Sequence, residues 1–227
     1  HHVHGIINVV TCSLWAGALC EMMDRFDAKQ TWHAFERLDV TLFMAVPTIY
    51  SKLITEWEAA TENAQKLLSK ACSNMRLMIS GSAALPTQIL SKWRSITGHT
   101  LLERYGMTET GMILSNPLNG SRVPGHVGYP LDGVEVRLVN DGGIPVESGA
   151  EGELEIKGPG VFKEYWMRVD ETRESFHGEW FSTGDIAVID DKGYRILGRK
   201  SVDIIKTGGY KVSALEIEEV LLTYPDI

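Results

Sequence analysis

The spacing of apolar and polar positions changes along this chain, and in the first part it is typical of an α/β fold. Residues 28–38 have the spacing of an amphipathic helix, and continuous apolar runs cover residues 40–46 and 75–79. Further helices are expected from a cap at Thr48 to about residue 60, and over residues 86–96. Short apolar strands that alternate with helices predict a mostly parallel sheet covered on both faces.

Further along the chain the spacing of apolar and polar positions becomes typical of an antiparallel sheet. Turns at residues 141–143 and 190–193 separate stretches in which apolar and polar residues alternate. The expected strands cover residues 134–139, 152–157, 180–189 and 194–197. Ser213 and Glu216 have the spacing of a capping box, which predicts that a helix begins there. We therefore expect a small antiparallel β subdomain over about residues 125–198, attached to the α/β body.

Composition narrows the class of protein. With 44% hydrophobic and 23% charged residues, the 227-residue chain is typical of globular proteins. Its net charge of −8 argues against a nucleic-acid partner, which normally requires a basic surface. Three cysteines without metal-ligand spacing indicate reduced, buried thiols in an intracellular compartment. The apolar run over residues 5–20 is too short and too interrupted to span a membrane, so we expect a buried helix there.

The densest group of reactive side chains lies in Glu103-Arg104-Tyr105-Gly106-Met107-Thr108-Glu109-Thr110, directly after an apolar run. Glu109 could bind the magnesium ion of a nucleotide, because such an ion takes only one or two protein carboxylates. Thr108 could donate to a phosphate oxygen, Tyr105 offers a flat face for a purine, and Gly106 allows close backbone approach. The alternative is a strand-end turn with a surface Arg–Glu pair.

Four other features carry weaker signals when each is taken alone. The segment Ser80–Pro86 could present backbone amides to an anion at a helix N-terminus, or could be an ordinary connection. The segment His1–Gly5 could be a tag remnant or a metal-binding cluster, although no carboxylate or cysteine completes a metal site. Asp185 could accept both ribose hydroxyls or could cap its own turn. Arg199, after a strand, could reach ribose or phosphate oxygens.

The order of these segments resembles that of the adenylate-forming superfamily, which includes acyl-CoA synthetases, luciferases and peptide-synthetase adenylation domains. The motifs that carry the resemblance span nearly the whole chain. They are His1–Gly5, Ser80–Ala83, Glu103–Glu109, Gly152–Ile156, Ser182–Asp185, Gly198-Arg199 and Lys206–Tyr210. The resemblance implies that residues 1–199 form the C-terminal part of the large AMP-binding α/β domain. Residues 200–227 would then contain the hinge and the start of the small C-terminal α+β domain.

Members of this superfamily use ATP to convert a carboxylic acid to an acyl-adenylate, and then transfer the acyl group to a thiol, usually of coenzyme A. The resemblance implies ATP or AMP, Mg²⁺ and coenzyme A as cofactors, and it gives catalytic roles to Thr108 and to Glu109, the metal ligand. The resemblance also implies that the nucleotide is bound by Gly81, Ser82, Ala83, Glu103, Tyr105, Gly106, Met107, Asp185 and Arg199. It implies that the acyl pocket is lined by His2, His4, Ser80 and Arg104. The implied thiolation loop contains Gly208, Gly209 and Tyr210, and the implied hinge contains Lys200, Ser201, Val202 and Asp203.

Two parts of the superfamily pattern are expected outside this chain. The Ser/Thr/Gly-rich phosphate loop precedes the histidine segment, and the lysine that orients the substrate for adenylation lies beyond residue 227. The resemblance therefore implies that the isolated chain does not adenylate its acid.

Arg104 narrows the expected substrate. Many relatives carry an uncharged residue at this position, and a buried arginine needs an anionic partner because an unpaired buried charge is costly. A dicarboxylic acid could react through one carboxylate and pair with Arg104 through the other. With residues 115–117 and 202–218, the motif most resembles malonyl-CoA synthetases of the animal mitochondrial branch. This resemblance implies malonate or methylmalonate as the substrate and a mitochondrial, otherwise cytoplasmic, location.

Several alternatives stay open at this point. Arg104 could pair internally with Glu103 or another acid. The protein could instead be a short- or medium-chain fatty acyl-CoA synthetase, a carrier-protein-loading adenylation domain, or an inactive nucleotide-binding fragment.

Overall fold

The computed structural model describes residues 2–208 and 210–224, and the chain forms two compact units, His1–Glu103 and Arg104–Ile227. The first unit begins with a π-helix, His4–Thr11, that continues into the short helix α1, Cys12–Trp15. The prediction of a buried helix over residues 5–20 is wrong in length and in burial. Only Asn8 of the π-helix is buried, and the Trp15 side chain is 92% exposed, because no neighbouring element covers this apolar segment within the described unit.

The rest of the first unit alternates helices and strands as the sequence predicts. Its elements are α2 (Ala28–Glu36), β1 (Leu42–Ala45), α3 (Pro47–Ala59), α4 (Glu62–Ala71), β2 (Leu77–Ser80), α5 (Thr87–Thr97) and the first residues of β3 (Leu102–Met107). Strands β1 and β2 are parallel, and β2 pairs in parallel with Leu102 and Glu103. Helix α4 was not predicted from the sequence.

Aromatic side chains from the helices form the core on one face of this sheet. Trp32, Tyr50 and Trp93 are buried and pack against one another in stacked and edge-on contacts. The indole of Trp32 donates to Leu53 O at 3.0 Å, and the Tyr50 hydroxyl donates to Ile79 O at 2.8 Å. The indole N–H and the hydroxyl are therefore hydrogen-bonded although they are buried. The opposite face carries a small cluster to which, among the described residues, only the strands contribute. Leu77, Ile79 and Leu102 of this cluster are buried, so both faces of the sheet are shielded from solvent, as expected.

Two helix starts differ from the sequence expectation. Helix α3 has Val46 at its N-cap and Pro47 as its first residue, so the prediction that Thr48 caps this helix is wrong. Proline is favoured there because its missing N–H would have no helical partner. Helix α5 begins at Thr87 after Pro86, so the small residues of the preceding loop do not form its N-terminus.

The second unit is built from antiparallel strands. Its elements are the rest of β3, β4 (Gly111–Ser115), β5 (Tyr129–Pro130), β6 (Glu135–Val139), β7 (Gly152–Lys157), α6 (Val169–Glu174), β8 (Phe176–His177), β9 (Trp180–Asp190), β10 (Gly193–Arg199), β11 (Ile204–Thr207), β12 (Tyr210–Ser213) and α7 (Ala214–Leu221). Strands β3, β4 and β5 form a meander, and a second sheet has the order β10-β9-β7-β6 with β8 beside β9. Ser213 caps α7 by accepting from the Glu216 N–H at 3.2 Å, as predicted.

The three cysteines differ in how far they are buried. Cys72 is fully buried, and burial raises the pKa of its thiol to about 12. Cys20 is partly buried and Cys12 is exposed, so the prediction of buried thiols is wrong for Cys12. Over residues 2–208 and 210–224 no helix combines the length and the apolarity needed to cross a membrane.

Candidate functional site

The segment Glu103–Thr110 lies in a β-hairpin. Strand β3 ends at Met107, residues 108–110 turn, and β4 begins at Gly111. A Cβ atom on Gly106 would lie 2.1 Å from the Gly111 carbonyl oxygen, so the hairpin itself requires glycine at this position. Glu103 is only 6% exposed and therefore takes no part in a surface Arg–Glu pair. Thr108, in contrast, is exposed on the turn.

Three of the residues that the sequence assigns to nucleotide binding meet in the second unit. The Tyr105 hydroxyl donates to Asp185 Oδ2 at 2.5 Å, and Arg199 Nε donates to Asp185 Oδ1 at 3.1 Å. Asp185 is 8% exposed, and its backbone N–H donates to the Thr183 hydroxyl oxygen at 3.1 Å. Gly184, just before it, has φ +76°, a conformation that glycine adopts without strain.

The contacts within this cluster shift the pKa values of Tyr105 and Arg199. Burial raises the pKa of Tyr105 well above its ordinary value, and the adjacent Asp185 raises it further, so the phenol keeps its proton. The negative charge of Asp185 also raises the pKa of Arg199. A carboxylate has about four acceptor positions. Asp185 uses one on each oxygen for Tyr105 and Arg199, so acceptor positions are left for hydroxyl groups of a ligand.

Glu109 is held by a segment that the sequence analysis missed. The Tyr165 hydroxyl donates to Glu109 Oε1 at 3.0 Å, and the Phe162 N–H donates to Glu109 O at 2.7 Å. Within residues 2–208 and 210–224, no three His, Cys, Asp or Glu side chains converge as a metal site. Mg²⁺ that is bound together with phosphates and water needs only one or two protein carboxylates, and Glu109 is the candidate for one of them. The signal that could have found Tyr165 is its place in a run of aromatic residues that includes Phe162 and Phe176.

The candidate residues of the first unit form a separate group around Ser80–Ala83. Ser80 is 1% exposed, and its hydroxyl has no hydrogen-bond partner among the described residues. Ser82 has φ +67°, and its Oγ lies 3.2 Å from His4 Nδ1. His2 is exposed, and its Nδ1 accepts from the His4 N–H at 3.4 Å. The structure therefore connects the histidine segment with this loop, but the metal-cluster alternative has no support within the described residues.

The expected hinge starts with a residue that joins two parts of the antiparallel sheet. Lys200 Nζ lies 2.9 Å from Glu153 Oε2 and 3.0 Å from Asp141 Oδ1. Its hydrogen bonds with Glu153 and then Asp141 raise the pKa of Lys200. Lys211 also pairs with Asp141, at 3.1 Å, and so brings strand β12 into the same group of charges.

The remaining hinge and thiolation residues lie in the last part of the described chain. Asp203 Oδ2 accepts from the Arg199 N–H at 2.7 Å, whereas Ser201 and Val202 are exposed. Gly208 lies in the turn of the β11–β12 hairpin, and the Tyr210 side chain is 76% exposed. Gly209, to which the same role was assigned, lies outside the described residues.

Sequence comparison extends these observations. Residues 1–166 match the family described as AMP-binding enzyme. The whole chain is 52% identical to the mitochondrial malonate–CoA ligase ACSF3 of Mus musculus, covering 43% of it. It is 50% identical to the protein of the same name from Homo sapiens, covering 44% of it. The chain therefore spans less than half the length of these curated relatives.

Structural comparison adds proteins with bound ligands. ATP-bound MatB from Rhodopseudomonas palustris has a TM-score of 0.88 and 38% identity over 99% of this chain and 43% of that chain. A malonyl-CoA ligase in a product complex with methylmalonyl-CoA and AMP has a TM-score of 0.79 and 39% identity over 100% of this chain and 48% of that chain. O-succinylbenzoate–CoA synthetase from Bacillus subtilis, with ATP and magnesium, has a TM-score of 0.82 and 30% identity over 99% of this chain and 45% of that chain.

Proposed function

Because this chain belongs to the AMP-binding enzyme family, we propose that the full-length protein that contains it is a malonate–CoA ligase. The enzyme activates malonate, or methylmalonate, with ATP and transfers the acyl group from the adenylate to coenzyme A. The observation that carries the proposal is the Tyr105–Asp185–Arg199 cluster, a buried carboxylate held in place with acceptor positions to spare. The name of the mouse relative, and the methylmalonyl-CoA in the malonyl-CoA ligase complex, support the choice of acid.

In this proposal, different residues of the second unit bind different parts of the nucleotide. Asp185 accepts the ribose hydroxyls with Arg199 beside it, and the Tyr105 ring lies against the adenine. Thr108 donates to a phosphate oxygen from the exposed turn, and Glu109 holds Mg²⁺. When bound, the ion would supply positive charge that offsets the negative charge of the phosphates. Since malonate and ATP are both anions, fixed cations and dipoles are needed to bring them together. Gly81, Ser82, Ala83, Glu103, Gly106 and Met107 complete the proposed nucleotide residues.

Arg104 is the proposed partner for the second carboxylate of malonate. It is half-buried on β3, where a guanidinium can form two parallel hydrogen bonds to a carboxylate. His2 and Ser80 are proposed to line the acyl pocket. A mitochondrial location is proposed because the mouse and human relatives carry that word in their names.

The last residues of the chain are proposed to serve the second half-reaction. Residues 1–199 belong to the large domain and residues 200–227 to the hinge and the small domain, which rotates between the two half-reactions. The pivot is within Lys200, Ser201, Val202 and Asp203. Rotation would bring Gly208, Gly209 and Tyr210 to the channel for coenzyme A. Small molecules are the only partners that the proposal requires.

The experiment is an assay of AMP formation by the full-length protein with malonate, methylmalonate, butyrate and octanoate. We expect turnover with the dicarboxylic acids and none with this chain alone. Arg104→Leu should lower kcat/KM for malonate by at least about 100-fold, since a desolvated ion pair is lost, and should leave short monocarboxylates within about threefold. Preference of the wild type for butyrate or octanoate would favour a fatty acyl-CoA synthetase, and malonate activity that survives in the variant would contradict the role of Arg104.

A further inference from the structure

Tyr165 lies outside every motif from which the site was predicted, yet it contacts Glu109 directly. Its hydroxyl donates to Glu109 Oε1 at 3.0 Å, while the nearby Phe162 N–H donates to Glu109 O at 2.7 Å. A Cβ atom on Gly160 would lie 3.0 Å from Thr110 O, so the same segment also passes close to the end of the turn. Residues 160–165 therefore hold the turn through main-chain and side-chain contacts.

Tyr165 is itself fixed on both sides. Its N–H donates to Thr172 Oγ1 at 3.0 Å, which ties it to helix α6. Its ring centroid lies 4.6 Å from that of Phe162, which in turn lies 5.2 Å from Phe181 and 5.7 Å from Phe176. Phe181, on β9, is 1% exposed. The segment is therefore anchored in the core of the antiparallel sheet, although its next residue, Trp166, is 84% exposed.

We propose that Tyr165 is a positioning residue for Glu109, holding one carboxylate oxygen so that the other would be available to the magnesium ion of the nucleotide. This inference rests on the proposed function. A glutamate on a half-exposed turn samples many rotamers, and binding through it is weakened by the entropy lost when it is ordered. A hydrogen bond already present before binding removes part of that cost, and partners of metal-binding carboxylates act in this way.

The hydroxyl of Tyr165 remains a donor at neutral pH. A phenol has an ordinary pKa of about 10 and therefore keeps its proton at neutral pH. The contact is therefore that of a neutral phenol with a carboxylate. In Tyr165→Phe the ring and its aromatic contacts remain, and the hydrogen bond to Glu109 is lost.

The test compares Tyr165→Phe with Tyr129→Phe in the full-length protein. Tyr129 also donates through its hydroxyl, to Asp191 O at 3.1 Å, but none of the site residues accepts from it. Tyr165→Phe should raise the Mg²⁺ concentration for half-maximal activity about tenfold. Calorimetry should show that Mg²⁺ enhances ATP affinity about tenfold less in this variant than in the wild type. Tyr129→Phe should match the wild type in both.

A double variant separates positioning from a structural role. In a Glu109→Gln background, Tyr165→Phe should not change the Mg²⁺ enhancement of ATP affinity any further, because no carboxylate remains to be positioned. Lower thermal stability with an unchanged Mg²⁺ dependence would overturn the inference, as would a Tyr165→Phe protein identical to the wild type. A wild type that binds ATP with Mg²⁺ but activates no acid would overturn the proposed function alone, since the calorimetric test of Tyr165 would still stand. If the wild type binds no nucleotide, both proposals fail.

Discussion

Asp185 and Glu155 are two buried carboxylates on neighbouring strands of one antiparallel sheet, and they differ in how fully their oxygens are used. Glu155 has no exposed side-chain surface; its Oε2 accepts from Arg137 Nε at 2.7 Å, and Arg137 Nη2 lies 2.6 Å from the same oxygen. Its Oε1 accepts from Ser182 at 3.2 Å and lies 2.5 Å from His177 Nδ1. The side-chain oxygens of Asp185 make two contacts with other side chains, whereas those of Glu155 make four.

The difference separates a structural carboxylate from one that can bind a ligand. About four acceptor positions are available on a carboxylate, and in Glu155 all of them are taken. Arg137 is further fixed over the Trp180 ring, with 4.3 Å between the guanidinium carbon and the ring centroid. Burial and charge alone do not distinguish Glu155 from Asp185. The two carboxylates differ because Asp185 has acceptor positions that are not used by its protein partners.

The largest stability change is expected for Glu155→Gln. Breaking a buried ion pair costs about 3–5 kcal/mol, and the partial exposure of Arg137 and His177 reduces this to about 2–3 kcal/mol. Urea unfolding of the chain measures it. The matched control is Glu179→Gln, which removes an exposed pair with Lys157 and should change the free energy of unfolding by less than about 0.5 kcal/mol. Equal losses in the two variants would show that Glu155 is not the structural carboxylate described above.

Asp185→Asn should separate activity from stability. The amide oxygen can still accept from Tyr105, so we expect a loss of about 1 kcal/mol in unfolding free energy. The charge and part of the acceptor capacity are lost, and kcat/KM of the full-length enzyme should fall at least about 100-fold, equivalent to about 2.7 kcal/mol. Steady-state kinetics with malonate and saturating Mg²⁺ check this. Near-normal activity in Asp185→Asn would remove the distinction between the two carboxylates.

The smallest effect concerns pH. Burial raises the pKa of Glu155, but the contacts with His177 and Arg137 more than offset this, and the pKa lies below its ordinary value of 4.5. A depressed folded-state pKa stabilises the fold above the unfolded-state pKa, and this contribution is lost as the pH falls through the folded-state value. The gap in unfolding free energy between wild type and Glu155→Gln should therefore narrow from pH 7 to pH 3. A constant gap over that range would contradict the assignment.

The order of elements could be predicted from the sequence because it depends on local periodicity. The helix over residues 28–38, the apolar strand at residues 75–79 and the antiparallel strands after residue 125 all occur with shifts of a few residues. The family match and the structural neighbours confirm the fold class, part of the large N-terminal α/β domain of an acyl-CoA synthetase, whereas the start of a small C-terminal domain stays a prediction. Burial over residues 5–20 could not be predicted, because burial depends on what packs against a segment.

The candidate site could be predicted only as far as its motifs extend. Tyr105, Asp185 and Arg199 are far apart in sequence, yet their motifs led to all three, and the structure brings them together. Tyr165 lies 56 residues from Glu109 and carries no motif of its own. Its role depends on tertiary packing that places a loop against a turn, which sequence periodicity does not encode.

Gly106 bears on how members of this family are sorted into active and inactive ones. Because any side chain there would collide with the opposite strand of its own hairpin, a descendant that had lost all affinity for ATP would still need the glycine in order to fold. Its presence in a homologue is therefore evidence of a common architecture and says little about catalysis. In the proposed function Glu109 and Asp185 contact the magnesium ion and the nucleotide, so loss of activity would be expected to appear first at such positions.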